Sequence, residues 1–372
     1  MAATSPASTG TISSSAIPRT MRAARMHGYD RPLDLEEIPV PDISTREVLV
    51  KVTAAGMCRT DVQLVDGYFR NYAALSLPAT LGHEIAGEIA AVGDAAEAAG
   101  FREGEQVVVV GGWGDGTCQH CHRGDTQICP HGVWPGFSAY GGYGEYVPVP
   151  MEYIIKVDPR FGLKAEQLAP LTDAGLTPYR GVKKLRDAGA MGPGRIVAVM
   201  GVGALGTYAV QYAKLLGGGA TVVAFARNAE KLKVAEELGA DHTINMGGLA
   251  IDEVRTALRK ATGRGEVDAV IDCAGAEEMI QLGFGLLSIA GHYTSVGLVG
   301  DRIDMPLFPL VGHEYTYHGS FWGNYNDLSE VVALAQEGKV KHTLHLLKFE
   351  EINDALDQIR AGEIVGRAVV KW

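Results

Sequence analysis

Cysteine is scarce and odd in number, five in 372 residues. That count excludes a secreted disulfide framework, which needs pairs. Cys118, Cys121 and Cys129 crowd into one short stretch, while Cys58 and Cys273 stand apart. This distribution suits metal ligation plus a spare thiol, and a reducing cytoplasm is expected. Positive charge is also short. Lys and Arg number 33 against 44 Asp and Glu, for a formal net charge of −11. Such a surface repels polyanions, so neither nucleic acid nor an anionic membrane is expected as a partner. No apolar run approaches the ~20 residues needed to span a bilayer. Residues 1–20 have neither the basic start nor the apolar middle of a signal peptide. Rich in Ser, Thr and Ala, they read as a disordered tail.

What remains is ordinary for a folded protein, with 47% hydrophobic and 21% charged residues. At ~150 residues per domain the length suggests two domains. Between residues 22 and 150 the chain reads as strands and turns. Segments 47–54, 88–92, 106–110, 145–149 and 154–157 are short β runs, several of them bounded by glycine. They predict an antiparallel, barrel-like domain with long loops.

From about residue 175 the texture changes. Segment 195–200 is a continuous apolar strand, suited to burial on both faces. Helix 204–216, strand 221–225, helix 229–238, strand 242–244, helix 251–261, strand 267–272, helix 276–288 and strand 292–296 follow. This alternation predicts an α/β domain built on a doubly wound parallel sheet. Near Tyr317 the pattern leaves the sheet. Helices 328–337 and 349–361 and a last strand, 367–371, are expected to rejoin the first domain. The expected division is a tail over 1–20, a β-rich domain over 21–175 and 318–372, and a dinucleotide-binding domain over 176–317.

Gly201-Val202-Gly203-Ala204-Leu205-Gly206 follows a strand and opens a helix. In that context the GxGxxG spacing lets backbone approach a pyrophosphate, and the helix N-terminus supplies N–H donors. About 20 residues further on, an acidic residue would bind the ribose hydroxyls and repel a 2′-phosphate. Here Ala226, Arg227 and Asn228 stand instead. Arg227 can pair with a phosphate, so NADP(H) is favoured over NAD(H). The alternative is that Arg227 stacks on adenine and NAD(H) is used.

Two clusters carry metal chemistry. Cys58, His83 and Asp173 offer sulfur, nitrogen and oxygen, enough for a four-coordinate zinc with one open position. Glu84, beside His83, is an alternate ligand or stands just behind. The second cluster is Asp115, Cys118, Cys121 and Cys129 on a Gly-rich stretch, spaced as a closed structural zinc site. Its first member is a carboxylate, a harder ligand than thiolate. His120, His122 and His131 are possible substitutes.

These motifs together resemble the zinc-dependent alcohol dehydrogenases of the medium-chain dehydrogenase/reductase superfamily. The resemblance runs from about Met21 to Trp372. It rests on Gly56-x-Cys58-Arg59-Thr60-Asp61, Gly82-His83-Glu84, the spaced cysteines, Leu171-Thr172-Asp173-Ala174-Gly175-Leu176-Thr177, the Gly201–Gly206 loop and Gly366-Arg367-x-Val369-Val370. It implies a GroES-like catalytic domain flanking a Rossmann domain. It further implies that Cys58, His83 and Asp173 hold the catalytic zinc and that Glu84 is a conditional ligand. Thr60 would hydrogen-bond the substrate oxygen, and Asp61 would orient His83. Arg59 and Arg367 resemble the family's contacts to the cofactor pyrophosphate. Where some relatives end a proton relay in histidine, this chain has Gln63. Thr177 is expected near the nicotinamide, and Trp113 and Trp322 line an apolar substrate pocket or serve packing.

The resemblance implies a zinc alcohol dehydrogenase or carbonyl reductase acting on a small alcohol, ketone or aldehyde, as a homodimer or homotetramer. A polyol dehydrogenase and a non-catalytic nucleotide-binding protein are the alternatives. A zinc-free quinone or enoyl reductase would lack Cys58 and His83.

Overall fold

The computed structural model describes residues 17–72 and 75–372. Most of the tail expected over 1–20 therefore lies outside the described residues, and Thr20 already opens a strand. Contacts group the chain into two units. The first runs to Thr172 and adds Leu346–Glu363 and Ala368–Trp372. The second holds Asp173–His345 and Ile364–Arg367.

Strands of the first unit are β1 (Thr20–Met26), β2 (Asp34–Pro39), β3 (Glu47–Met57), β4 (Ala79–Thr80), β5 (Glu84–Val92), β6 (Gln106–Val109), β7 (Tyr146–Pro150) and β8 (Ile154–Lys156). β1 pairs antiparallel with β2 and β4. β3 is the spine of the larger sheet. It pairs antiparallel with β5 along most of its length. Its early residues also pair with β7, and its last four with Ala368–Lys371 of the C-terminal strand. β6 and β8 extend the sheet beyond β5. Met21, Ala23, Ile38, Leu49, Ala91 and Tyr146 form one buried cluster between these strands. Met21, Ala23, Ala24 and Met26 of β1 are buried, whereas β2 buries only Ile38 and leaves Leu35 exposed, as an edge strand does.

The second unit is one six-stranded parallel sheet. Its strands are β9 (Ile196–Met200), β10 (Thr221–Ala226), β11 (His242–Asn245), β12 (Val267–Asp272), β13 (Leu287–Ser295) and β14 (Thr316–Gly319), in the order β11-β10-β9-β12-β13-β14. Every residue of β9 is buried, which is why it reads as an unbroken apolar run. Helices Ala204–Leu216, Ala229–Glu237, Ile251–Thr262 and Glu277–Leu286 connect the strands. β10 lies on one side of β9 and β12 on the other, so the winding reverses at β9. In such sheets ligands bind beyond the strand ends at that reversal.

The structure differs from expectation at two places. Residues 316–319 do not leave the sheet; they form its sixth strand. Tyr317 stacks on Tyr293 and Phe284 with ring centroids 5.7 and 6.0 Å apart, and His318 Nε2 lies 3.0 Å from His292 Nδ1. Four mixed residues carry no period, so only these cross-strand contacts identify the strand. Segment 318–345 also groups with the second unit, so the chain rejoins the first at Leu346 and not at residue 318. Helix Tyr325–Gln336 is tied to helix Leu176–Asp187 there: Arg180 and Lys183 pair with Asp327 at 2.6 and 3.0 Å. No helix among the described residues is long and apolar enough to cross a membrane.

Candidate active site and metal centres

β3 ends at Met57, and Cys58 follows in extended conformation as the cap of helix Arg59–Val65. Asp61, three residues on, reaches back to hold that turn. Its Oδ2 accepts from the Cys58 backbone N–H at 2.8 Å. Its Oδ1 lies 3.4 Å from His83 Nδ1. Cys58 and His83 thus face one another with ligand atoms within 4.8 Å, both buried. Thr60 Oγ1 lies 3.5 Å from the Cys58 sulfur. A soft sulfur and an imidazole with a carboxylate beside it fit zinc. Glu84 is fully buried, with its carboxylate pressed against Gly56, where a Cβ would stand 1.7 Å from Oε2. That contact explains the glycine. Arg59, on the first turn of the helix, is exposed.

Two features here were missed from the sequence. Tyr143 is fully buried and donates from its hydroxyl to Asp61 Oδ2 at 2.9 Å. Burial and then the Asp61 charge push its phenol well up, so it stays protonated and donating. Phe137 lies beside the His83 ring at 5.9 Å and meets Phe69 and Trp134 edge-on. Neither has a spacing that points to His83, because loop residues are brought in by tertiary contacts alone.

Asp173 opens the second unit. Its Oδ1 accepts from the Thr177 hydroxyl at 2.7 Å and its Oδ2 from Arg367 Nη2 at 2.9 Å. Arg367, 3% exposed, is the residue expected at a pyrophosphate; in this structure its Nη2 pairs with the Asp173 carboxylate. A buried cation stabilises a neighbouring buried anion, which explains the pairing.

The second cluster lies within the first unit. Cys118 is 3.6 Å from Cys121 and 3.7 Å from Cys129, sulfur to sulfur. Asp115 Oδ1 is 3.6 Å from the Cys121 sulfur and 3.5 Å from that of Cys129. All three cysteines are free. A tetrahedron of bonds near ~2.3 Å has edges of roughly 3.7 Å, so this cage has the size of a zinc site. The Asp115 carboxylate is held well below its usual range, first by the Thr117 backbone N–H and then by the Thr117 hydroxyl. The Cys118 thiol is pulled down chiefly by the Cys121 N–H, whereas burial pushes the Cys121 thiol up to about 11. Cys121 therefore needs a cation beside it to ionise. His120 and His122 have other partners, Arg123 and the Thr117 carbonyl, so Asp115 completes the cage.

Trp113 has the contacts of the packing alternative. It is buried, its indole N–H donates to the Val110 carbonyl at 2.7 Å, and its ring stacks on Tyr153. Tyr153 in turn donates to the Gly114 carbonyl, so Trp113 braces the base of the cysteine lobe. Trp322, in the second unit, is buried with φ of 46°. A bulky side chain at positive φ is a rare conformation that its surroundings must hold, and such residues cluster at functional sites.

The dinucleotide loop follows β9. Gly201 has φ of 87°. Nothing lies within 4 Å of a Cβ built on Gly203, so that face is open. A Cβ on Gly206 would stand 2.0 Å from the Gly201 carbonyl, so only glycine lets helix Ala204–Leu216 close on the strand. The helix has no side-chain cap, which leaves its first-turn N–H groups to an anion. The three glycines thus serve the turn, the ligand approach and the packing that a dinucleotide site needs. Ala226 ends β10 buried, and Arg227 beside it is exposed. Asn228 caps the next helix. Residues 226–228 themselves carry no carboxylate.

Known proteins agree with this geometry. Residues 44–159 match the family described as alcohol dehydrogenase GroES-like domain, and residues 204–337 that described as zinc-binding dehydrogenase. A protein of Sulfurisphaera tokodaii named NAD-dependent alcohol dehydrogenase is 38% identical over 360 residues, 94% of this chain and 99% of its own. The alcohol dehydrogenase of Aeropyrum pernix superposes with a TM-score of 0.87 at 36% identity, over 94% of this chain and 100% of its own. Acetophenone reductase from Geotrichum candidum, solved with NAD, gives 0.85 at 28% identity, over 96% and 98%.

Proposed function

The chain belongs to the zinc-dependent alcohol dehydrogenases of the medium-chain dehydrogenase/reductase superfamily, with a GroES-like and a Rossmann-type domain, and on that premise we propose how its residues divide the work. It is an oxidoreductase that interconverts alcohols and carbonyl compounds with zinc and a nicotinamide cofactor. When bound, the zinc polarises the alcohol or carbonyl oxygen and the nicotinamide carries the hydride.

In this reading Cys58, His83 and Asp173 hold the catalytic zinc. Their donor set supports it: a thiol, an imidazole and a carboxylate, with a fourth position left for substrate. Asp61 sets the His83 ring, and Arg367 steadies Asp173. Glu84 stays behind as a conditional ligand. Thr60 accepts the hydrogen bond of the substrate hydroxyl and passes the proton outward to water. Gln63 cannot take that proton, so no side-chain relay extends beyond Thr60 at that position. The loop Gly201–Gly206, Arg59 and Arg367 take the pyrophosphate, and Arg367 also pairs with Asp173. Thr177 positions Asp173, and Trp322 forms part of the apolar wall that receives the substrate's carbon side. Asp115, Cys118, Cys121 and Cys129 hold a second, structural zinc.

NADP(H) is the preferred cofactor in this reading. Support comes from the missing carboxylate at Ala226 and from the exposed Arg227. Relatives are named for NAD or were solved with it, so comparing the two cofactors is a direct test. The enzyme works as a homodimer or a homotetramer. Leu307, Phe308 and Val311 on the short helix before β14 are 73%, 80% and 66% exposed and form an apolar surface that a subunit contact would cover.

The observation that carries the function is the constellation of Cys58, Thr60, Asp61 and His83. The test is a panel of secondary alcohols, ketones, aldehydes and polyols, each with NADPH or NADH and their oxidised forms. Zinc-dependent turnover of simple ketones, faster with NADPH, is expected. Turnover confined to polyols would favour the polyol dehydrogenase. No turnover in protein that binds both zinc and cofactor would favour a non-catalytic role.

A further inference from the structure

Tyr143 stands behind Cys58 and His83 and has had no function assigned so far. Its backbone is pinned from both sides: its N–H donates to the Leu81 carbonyl at 3.0 Å, and its carbonyl accepts from Ala24 at 2.8 Å. Its ring lies against Gly82, where a Cβ would come within 2.5 Å of it. No part of the side chain reaches solvent. The hydroxyl therefore has a fixed position, and it donates to Asp61 Oδ2 at 2.9 Å. The same oxygen accepts from the Cys58 N–H at 2.8 Å, and Oδ1 lies 3.4 Å from His83 Nδ1.

We propose that Tyr143 is a positioning residue for the zinc held through Cys58 and His83. It fixes the rotation of the Asp61 carboxylate, and Asp61 sets both the turn that carries the Cys58 sulfur and the plane of the His83 ring. The inference rests on reading Cys58 and His83 as zinc ligands. Without the phenol, Asp61 keeps one donor on Oδ2 and gains freedom to turn. The imidazole then loses its fixed orientation. Removing such an orienting partner typically weakens metal binding by about 10- to 100-fold.

The test follows zinc released from the folded enzyme to excess 4-(2-pyridylazo)resorcinol, in the wild type, Tyr143→Phe and Cys58→Ala. Phenylalanine keeps the packed ring and removes one oxygen, so the variant folds. Cys58→Ala is expected to lack one zinc, which identifies the Cys58 site. Tyr143→Phe is expected to carry that zinc but release it about 10- to 100-fold faster, with release from the cysteine lobe unchanged. Equal release from the Cys58 site in the variant and the wild type would overturn the role of Tyr143. Faster release from both sites would mark general loosening and also overturn it. Full zinc in Cys58→Ala would instead refute the ligand reading on which the proposal stands.

Discussion

Asp173 shows how much a single carboxylate can be asked to do. Its two oxygens accept from Thr177 and Arg367, and in the proposed reading it also serves the metal. Asp173→Ala removes the ligand and leaves the buried Arg367 without this anion. The variant is expected to lose the catalytic zinc, with kcat falling at least 100-fold and the lobe zinc retained. Metal analysis beside an activity assay checks this, and undiminished zinc would remove Asp173 from the site. Cys58, His83 and Asp173 stand out in the sequence because thiol, imidazole and carboxylate are chemically distinctive wherever they occur. For Arg367 the sequence suggested a phosphate contact, and the structure adds its pairing with Asp173. A guanidinium fits a phosphate and a carboxylate equally well, and the sequence does not say which is near.

At the scale of elements, the strand–loop–helix from β9 to Leu216 carries its function in its glycines. Gly206→Ala would place a methyl 2.0 Å from the Gly201 carbonyl oxygen. Backbone cannot yield as a side chain does, so helix and strand must separate. Cofactor affinity is expected to fall at least tenfold and stability by about 1–3 kcal/mol, the usual cost of overpacking. Fluorescence titration with the reduced cofactor and a thermal melt check the two effects; unchanged affinity would show that the glycine serves packing alone. This element was fully legible, because GxGxxG between an apolar run and a helix has one structural meaning. β14 was not. Its four residues show neither alternation nor an apolar run, and its place depends on Tyr293, Phe284 and His292. Trp113 was open between pocket and packing for a related reason: sequence marks a large aromatic, but only its neighbours show that Val110 and Tyr153 engage it.

At the scale of the whole molecule, stability and assembly follow from groups that no motif marks. His342 accepts or donates at Nδ1 with the Tyr208 hydroxyl, 3.1 Å away, and its Nε2 has no hydrogen-bond partner among the described residues. Burial disfavours its cation and lowers its pKa from 6.5 to about 4. The sign follows directly. As pH falls through 6.5 the unfolded chain takes up this proton first, so the unfolded state gains. The contribution is complete above pH 6.5, declines between 6.5 and 4, and is gone below. A shift of that size is worth about 3 kcal/mol at most. His342→Gln should flatten the melting temperature over this pH window; an unchanged slope would exclude His342 as its source. Phe308→Glu tests assembly at the same scale. A charge in the exposed apolar patch should shift the protein to a smaller species by light scattering while zinc content stays the same. An unchanged mass would place any interface elsewhere.

The sequence by itself determined the chemistry: which residues can hold metal, where a dinucleotide can approach backbone, and which class of fold alternates strands and helices this way. Those features depend on residue type and short-range spacing, and both are local. Tertiary structure decided which donors share a partner. It placed Tyr143 behind Asp61, Arg367 on Asp173 and Trp113 beneath the cysteine lobe, and it made residues 316–319 a strand. These pairings join residues up to 194 positions apart, as Arg367 and Asp173 are. No local pattern encodes such a distance. It is set by how sheets and loops bury their apolar faces and satisfy their polar groups together.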